Sequence, residues 1–238
     1  MKVCWFSAGV SSFVACYLAK DVDAIFYIDI DDQHEDSRRF VADCERVLGK
    51  KITILKSNYG SVENVCRANR YVNGVGGAKC TQILKKRVRK KWEAENPGLH
   101  TYVWGFDSNE VKRAQRLVES MPEYDHEFPL IDLELSKEDA HGLCRRLGVK
   151  RPAMYDLGYN NNNCVGCVKG GKGYWNKIRV DFPDVFAARA KMERDIGRSC
   201  IKDVFLDELP PDAGRMTEEV MEDCGIYCEL AYLSKEDV

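Results

Sequence analysis

The sequence has no apolar run near the roughly 18–20 residues needed to cross a bilayer, which argues against a membrane-spanning helix. Low-complexity tracts, internal repeats and a clean domain linker are also missing. With 45% hydrophobic and 31% charged residues, this excludes disorder over most of the chain. The opening Met1-Lys2-Val3-Cys4-Trp5-Phe6-Ser7 has too short an apolar stretch, and no small-residue cleavage pattern, for a secretory signal. These absences predict a soluble cytoplasmic protein. Histidine is scarce: of the four, His100, His126 and His141 show no partner spacing, and His34 reads as a loop residue near a ligand or as a cap.

Cysteine, by contrast, is abundant. The eleven thiols are odd in number and come without a signal, so a disulfide framework is not expected and metal or redox chemistry is. Net charge is only −2 but unevenly spread. Residues 203–238 hold eleven Asp and Glu against Arg215 and Lys235, a net of −9, which leaves +7 on the rest. That asymmetry fits either a basic face for an anionic ligand with an acidic tail near it, or a solvated tail.

The 238 residues suit one α/β domain, or a domain with an appendage. Short apolar runs at Val3–Phe6, Ala24–Ile28, Ile52–Leu55 and Thr101–Trp104 predict strands. Amphipathic stretches at Ser11–Lys20, His34–Leu48, Thr81–Asn96, Ser108–Val118 and Lys137–Leu147 predict the helices between and after them, the last with Ser136 as N-cap. The expected fold is α/β: a Rossmann-like, doubly wound, mostly parallel sheet with helices on both faces, plus an irregular cysteine-containing C-terminal region. Residues 1–158 form the nucleotide-type α/β domain in this reading. Residues 159–238 supply a cysteine loop, a helix at Pro183–Ile196 and an acidic tail interrupted by Pro210-Pro211. The Asn-rich 159–163 stretch and the Gly/Lys-rich Gly166–Gly173 read as a functional loop.

Ser7-Ala8-Gly9-Val10-Ser11-Ser12 follows the first strand and opens the first helix. Small residues let backbone wrap an anion, hydroxyls donate to it, and the helix N-terminus adds N–H groups and a favourable dipole. The pattern is neither G-x-G-x-x-G nor G-x-x-x-x-G-K-[ST], and an ordinary strand-to-helix turn with a serine cap is the plainer reading. Lys79, Lys85, Lys86, Arg87, Arg89, Lys90 and Lys91 form an anion-attracting stretch, although much of it lies on the polar outer face of a helix. Asp107 and Asn109-Glu110 suit a magnesium ion if ATP is bound. Cys164-x-x-Cys167 lies in a flexible loop where two thiolates can converge on one metal, and Cys80 heads a basic helix that favours thiolate. Cys4, Cys16, Cys44, Cys66 and Cys144 read as core.

Taken in order, these pieces resemble the phosphoadenosine-phosphosulfate (PAPS) reductase family within the adenine nucleotide alpha hydrolase-like (PP-loop ATP pyrophosphatase) superfamily. The loop is similar to S-G-G-x-x-S, with Ala8 in place of the first Gly. Ile28–Asp36, Cys80-Thr81-Gln82-Ile83-Leu84-Lys85, Gly105–Arg113, Pro129-Leu130-Ile131, Leu147-Gly148-Val149, Pro152–Gly158 and Cys164-Val165-Gly166-Cys167 follow in the family's order over about residues 1–170. The resemblance implies phosphate binding at Ser7, Gly9, Val10, Ser11 and Ser12, with Asp29, Gly105 and Glu110 beside the nucleotide and Lys85 and Arg113 near its phosphates.

It also implies a [4Fe–4S] cluster on Cys80, Cys164 and Cys167. The family's Cys-Cys pair is here Lys79-Cys80, so the fourth ligand is open: Cys200, the Cys224/Cys228 segment, or none, with the open iron binding sulfide. Zinc is the alternative metal. Cys224 in Glu222-Asp223-Cys224-Gly225-Ile226-Tyr227 resembles the reductases' catalytic cysteine, although Tyr227 replaces their His and the surroundings are acidic. Three functions follow: ATP-dependent adenylation with sulfur transfer, reduction of adenylyl or phosphoadenylyl sulfate (APS or PAPS) with release of sulfite, or a non-catalytic nucleotide and metal sensor. The partners implied are an adenine nucleotide, a sulfur donor or thioredoxin-like reductant and an RNA or nucleobase acceptor, with a homodimer compatible and no membrane.

Overall fold

A computed structural model of the chain describes residues 1–74 and 77–219. Five strands build one sheet: β1 (Lys2–Phe6), β2 (Ala24–Asp29), β3 (Ile52–Lys56), β4 (Thr101–Val103) and β5 (Asp125–Glu127). Their spatial order is β3-β2-β1-β4-β5, and every neighbouring pair is parallel. Parallel strands need crossovers. Helices α1 (Val10–Leu18), α2 (Asp36–Leu48), α3 (Val62–Asn69), α4 (Arg87–Glu95) and α5 (Val111–Ser120) lie between or immediately before successive strands. After the sheet come α6 (Pro129–Asp132), α7 (Lys137–Arg146), α8 (Ala153–Asp156), α9 (Lys172–Asp181) and α10 (Pro183–Ile196). Among the described residues no helix is long and apolar enough to cross a membrane.

Alternation along the strands divides the core. Cys4 and Phe6 of β1 pack with α1, α2 and α7, whereas Val3 and Trp5 pack on the other face with Trp92 of α4 and Leu117 of α5. The doubly wound α/β fold is therefore as expected. A third cluster gathers Ile30, α3, Cys80, Ile83 and Leu84 with residues from Met154 to Leu209, so the C-terminal segment packs onto the α/β sheet region through an apolar interior.

Several elements differ from the sequence reading. β5 has the sequence Asp-His-Glu at the sheet edge and carries no apolar signal. α3 also escaped the reading, as did α9, which begins at Lys172 inside the stretch read as a loop. The helix expected over Thr81–Asn96 opens as a π-helical turn at Thr81–Lys86, a form found at functional sites. Cys4 and Cys16 are buried, as a core role requires, but a disulfide joins them, with Cα atoms 6.1 Å apart. The cause is register: β1 and α1 face each other across a short loop, which brings the two side chains within bonding reach.

Candidate functional site

In an open parallel sheet, ligands bind where successive crossovers leave in opposite directions. Here that point lies between β1 and β4. The loop Ser7–Ser12 leaves β1 at this place. Ser12 Oγ accepts from Ser7 N at 3.1 Å and from Ser7 Oγ at 2.9 Å, and donates to Gly9 O at 2.9 Å. Gly9 caps α1 with no side-chain cap bond of its own, and Val10 N makes a long bond of 3.4 Å to the Tyr155 hydroxyl, which leaves this helix start suited to an anion. Ala8 adopts φ 59°, the left-handed conformation that favours glycine. This explains why the resembled loop has Gly there. Gly105, just past β4, presses on the same loop: a Cβ at this position would lie 2.5 Å from Ser12 Cα and N. The structure thus brings Ser7, Gly9, Val10, Ser11, Ser12 and Gly105 together.

Of the other nucleotide-site candidates, Asp29, Lys85 and Arg113 are buried and Glu110 is half-buried. Asp29 ends β2 and pairs with Arg38 at 2.9 Å. Glu110 accepts from Asp107 N at 3.2 Å and forms an ion pair with Arg113, while Asp107 accepts from Asn109 N at 2.9 Å. Burial raises the Glu110 pKa against the pull of Arg113. Arg113 is 5% exposed, with its guanidinium 4.7 Å from the centre of the Phe106 ring, and Lys85 is 8% exposed. Asp107 and Glu110 therefore serve as a capping box for the following helix. His34 Nδ1 accepts from Asp36 N at 3.2 Å, the cap role.

Cys80, Cys164 and Cys167 are all buried in the third cluster, together with Cys66 and Cys200. Two linkages tether the Cys164–Cys167 loop to the segment just past β2. Val165 N donates to Asp32 O at 2.8 Å, and Arg189 donates through Nε to Gly166 O at 3.3 Å while pairing with the Asp32 carboxylate. Asp32 also accepts from Val62 N at 2.6 Å. Burial opposes the Arg189 charge, but the Asp32 carboxylate holds its pKa above the ordinary value. Tyr174 closes the other side: its hydroxyl accepts from Cys167 N at 2.9 Å and donates to Cys164 O at 3.1 Å.

The donor chemistry suits a thiolate-held cluster, being soft, buried and apolar-lined. Trp175 Nε1 in the same cluster, and Thr81 Oγ1 next in the chain to Cys80, are buried without a hydrogen-bond partner, as donors to a sulfur would be. Among the described residues, no group of three or more His, Cys, Asp or Glu side chains is drawn together as metal ligands. Cys200 belongs to the same cluster, with its N–H and thiol on Glu193, and burial and that carboxylate push its pKa well up. Cys224 and Cys228 lie outside the described residues.

Sequence reasoning missed Asn162, Asp32, Arg189, Tyr155 and Tyr174. Asn162 donates to Ala8 O and to Ser37 Oγ, both at 2.9 Å, and Val10 N donates to the Tyr155 hydroxyl at 3.4 Å. The Asn-rich stretch was the available signal for Asn162. Asp32, Arg189 and Tyr155 have partners far away in the chain, and Tyr174, whose partners lie seven and ten positions before it, carries no local pattern that marks it.

The fold and the loop at its switch point define the class: a doubly wound α/β domain with a cysteine-bearing segment packed on it. Compared with known proteins, the chain matches no protein-family model and no curated sequence.

Proposed function

We propose that the protein is a PP-loop enzyme that binds ATP, cleaves it to AMP and pyrophosphate by adenylating an acceptor, and delivers sulfur from a [4Fe–4S] centre. The observation that carries this reading is the joining of two sites. A serine–glycine loop at the sheet's switch point is tied by Asn162 to the stretch leading into Cys164-x-x-Cys167, and Asp32 links that cysteine loop back to the end of β2.

In this reading the first-turn N–H groups of α1 and the hydroxyls of Ser7, Ser11 and Ser12 hold the pyrophosphate portion of ATP. Lys85 and Arg113 offset the charge that develops as pyrophosphate leaves, as preorganised cations do in a water-poor site. Gly105 lets the chain after β4 pack directly against the Ser12 backbone and so supports the loop. Cys80, Cys164 and Cys167 would hold the cluster, which supplies an iron to carry sulfide. Tyr174 and Arg189 fix the backbone that presents two of these thiolates. Adenylation converts an acceptor oxygen into a leaving group, so attack by sulfur no longer has to expel hydroxide.

The test is an anaerobic assay of the full chain with ATP and a series of nucleobase acceptors. Pyrophosphate release that is lost in Ser12→Ala, and sulfur transfer that is lost in Cys164→Ser, are expected. Neither pyrophosphate nor thiolated product from the unaltered protein would overturn the reading.

A further inference from the structure

The Cys4–Cys16 bond has no part in the proposed chemistry, yet its position is specific. Cys4 lies in β1 and Cys16 in the second half of α1, twelve positions apart, and the whole Ser7–Ser12 loop lies between them. The bond therefore ties together the two shoulders of the loop. Both residues are buried, at 1% and 4% exposure. The loop they bracket holds a non-glycine residue, Ala8, in the left-handed region, and rests on a small set of hydrogen bonds among Ser7, Gly9, Ser12 and Asn162. Such a loop depends on fixed ends. If the spacing between β1 and α1 relaxes, Ala8 has a lower-energy conformation to fall into.

We propose that Cys4 and Cys16 form a reversible thiol–disulfide site whose oxidation braces the Ser7–Ser12 loop and tightens its grip on a phosphate-bearing ligand. The ligand half of this statement rests on the phosphate-loop reading above; the brace does not. The oxidant is a small-molecule disulfide. One cysteine thiolate attacks a sulfur of that disulfide and expels one thiolate, giving a mixed disulfide. The second cysteine thiolate then attacks the protein sulfur of the mixed disulfide and expels the other. Two cysteine thiols lose two electrons, the external disulfide gains them, and the two cysteine protons end on the two released thiols.

Cys16 lies in the last turn of α1, next to the half-exposed Tyr17. Fraying of that turn gives the oxidant or reductant its access. In a reducing compartment, disulfides of this kind are transient or redox-sensing. Cys44, Cys66 and Cys144, the other cysteines read as core, are free thiols with no cysteine bonded to them.

The experiment compares the full chain equilibrated in glutathione buffers at reducing and oxidising poise. Peptide mapping without reductant should recover a Cys4–Cys16 cross-link from the oxidised sample. Amide hydrogen exchange over residues 7–12 should slow by about fivefold or more, and inorganic pyrophosphate should bind about fivefold or more tightly, through preorganisation of the loop. Both differences should vanish in Cys16→Ala and, independently, in Cys4→Ala. Absence of the cross-link overturns the proposal, as does a cross-link that leaves loop exchange unchanged. Should pyrophosphate bind neither state, the phosphate-loop reading and the affinity half of the proposal both fail, while slowed exchange still supports the brace. Equal pyrophosphate affinity in the two states, with binding lost in Ser12→Ala, keeps the phosphate loop and overturns the switch.

Discussion

The two halves of the candidate site are built in opposite ways. The candidate phosphate loop, Ser7–Ser12, is six consecutive residues whose shape is fixed by hydrogen bonds within the loop, with Gly105 and Asn162 as outside supports. The candidate cysteine chamber is an apolar cluster that holds Cys80, Cys164 and Cys167 from separate segments without drawing them together as ligands, and the Cys164–Cys167 loop is held by Asp32, Tyr174 and Arg189. A local site tolerates change in the surrounding fold as long as its strand and helix persist. The chamber depends on buried polar links between distant segments, each of which is costly to leave half-made.

The largest effect that would break this contrast is expected at Arg189. Arg189→Met leaves the Asp32 carboxylate buried without its cation, and removing one partner of a buried pair costs about 3–5 kcal/mol. Urea unfolding should show that loss. In the same variant, metal retention should fall, while residual pyrophosphate binding by the folded fraction stays near that of the unaltered protein. Equal damage to both sites would mean that they form one unit.

Tyr174→Phe is expected to cost about 1–3 kcal/mol, because Cys167 N and Cys164 O lose a shared partner in the interior. The effect again belongs to the chamber: the sensitivity of Cys164 and Cys167 to alkylation should rise while the loop is unaffected. Gly105→Ala strikes the other half. The added methyl meets the Ser12 backbone rather than a flexible side chain, and such overpacking costs about 1–3 kcal/mol. Pyrophosphate titration should show weakened binding, with alkylation of Cys164 and Cys167 unchanged.

The smallest effect is expected at Ala8. Ala8→Gly relieves the left-handed strain but adds freedom to the unfolded chain, so stability should change by less than about 1 kcal/mol, with loop binding retained. A large loss would show that the Ala8 methyl, which is fully buried, does more in packing than in shaping the loop.

The same contrast explains what was legible in the sequence. β1 to β4 and the principal crossover helices carry apolar periodicity, and the loop announces itself by small residues between a strand and a helix. β5 could not be read, because an edge strand of Asp-His-Glu gains its place from pairing with β4 rather than from burial. α9 was hidden by Gly171 and Gly173, which the sequence reading took as loop residues. Gly173 packs where a Cβ would meet the backbone of Arg215 and Met216. The cysteines were visible as residues, but not their supports: Arg189 lies 157 positions from Asp32, and no local pattern encodes that pairing. The Cys4–Cys16 bond was overlooked for a different reason. Both residues fit a core role, and only the facing of β1 and α1 turns two apolar positions into a pair.

The most direct test of the central claim is an iron and acid-labile sulfide count, with a visible spectrum, on the full chain purified anaerobically. The account predicts about four irons and four sulfides per chain, with a broad visible absorption, as expected of a thiolate-held [4Fe–4S] cluster, and their loss in Cys80→Ser, Cys164→Ser and Cys167→Ser. Stoichiometric zinc without sulfide, or iron and sulfide that survive all three substitutions, would contradict it.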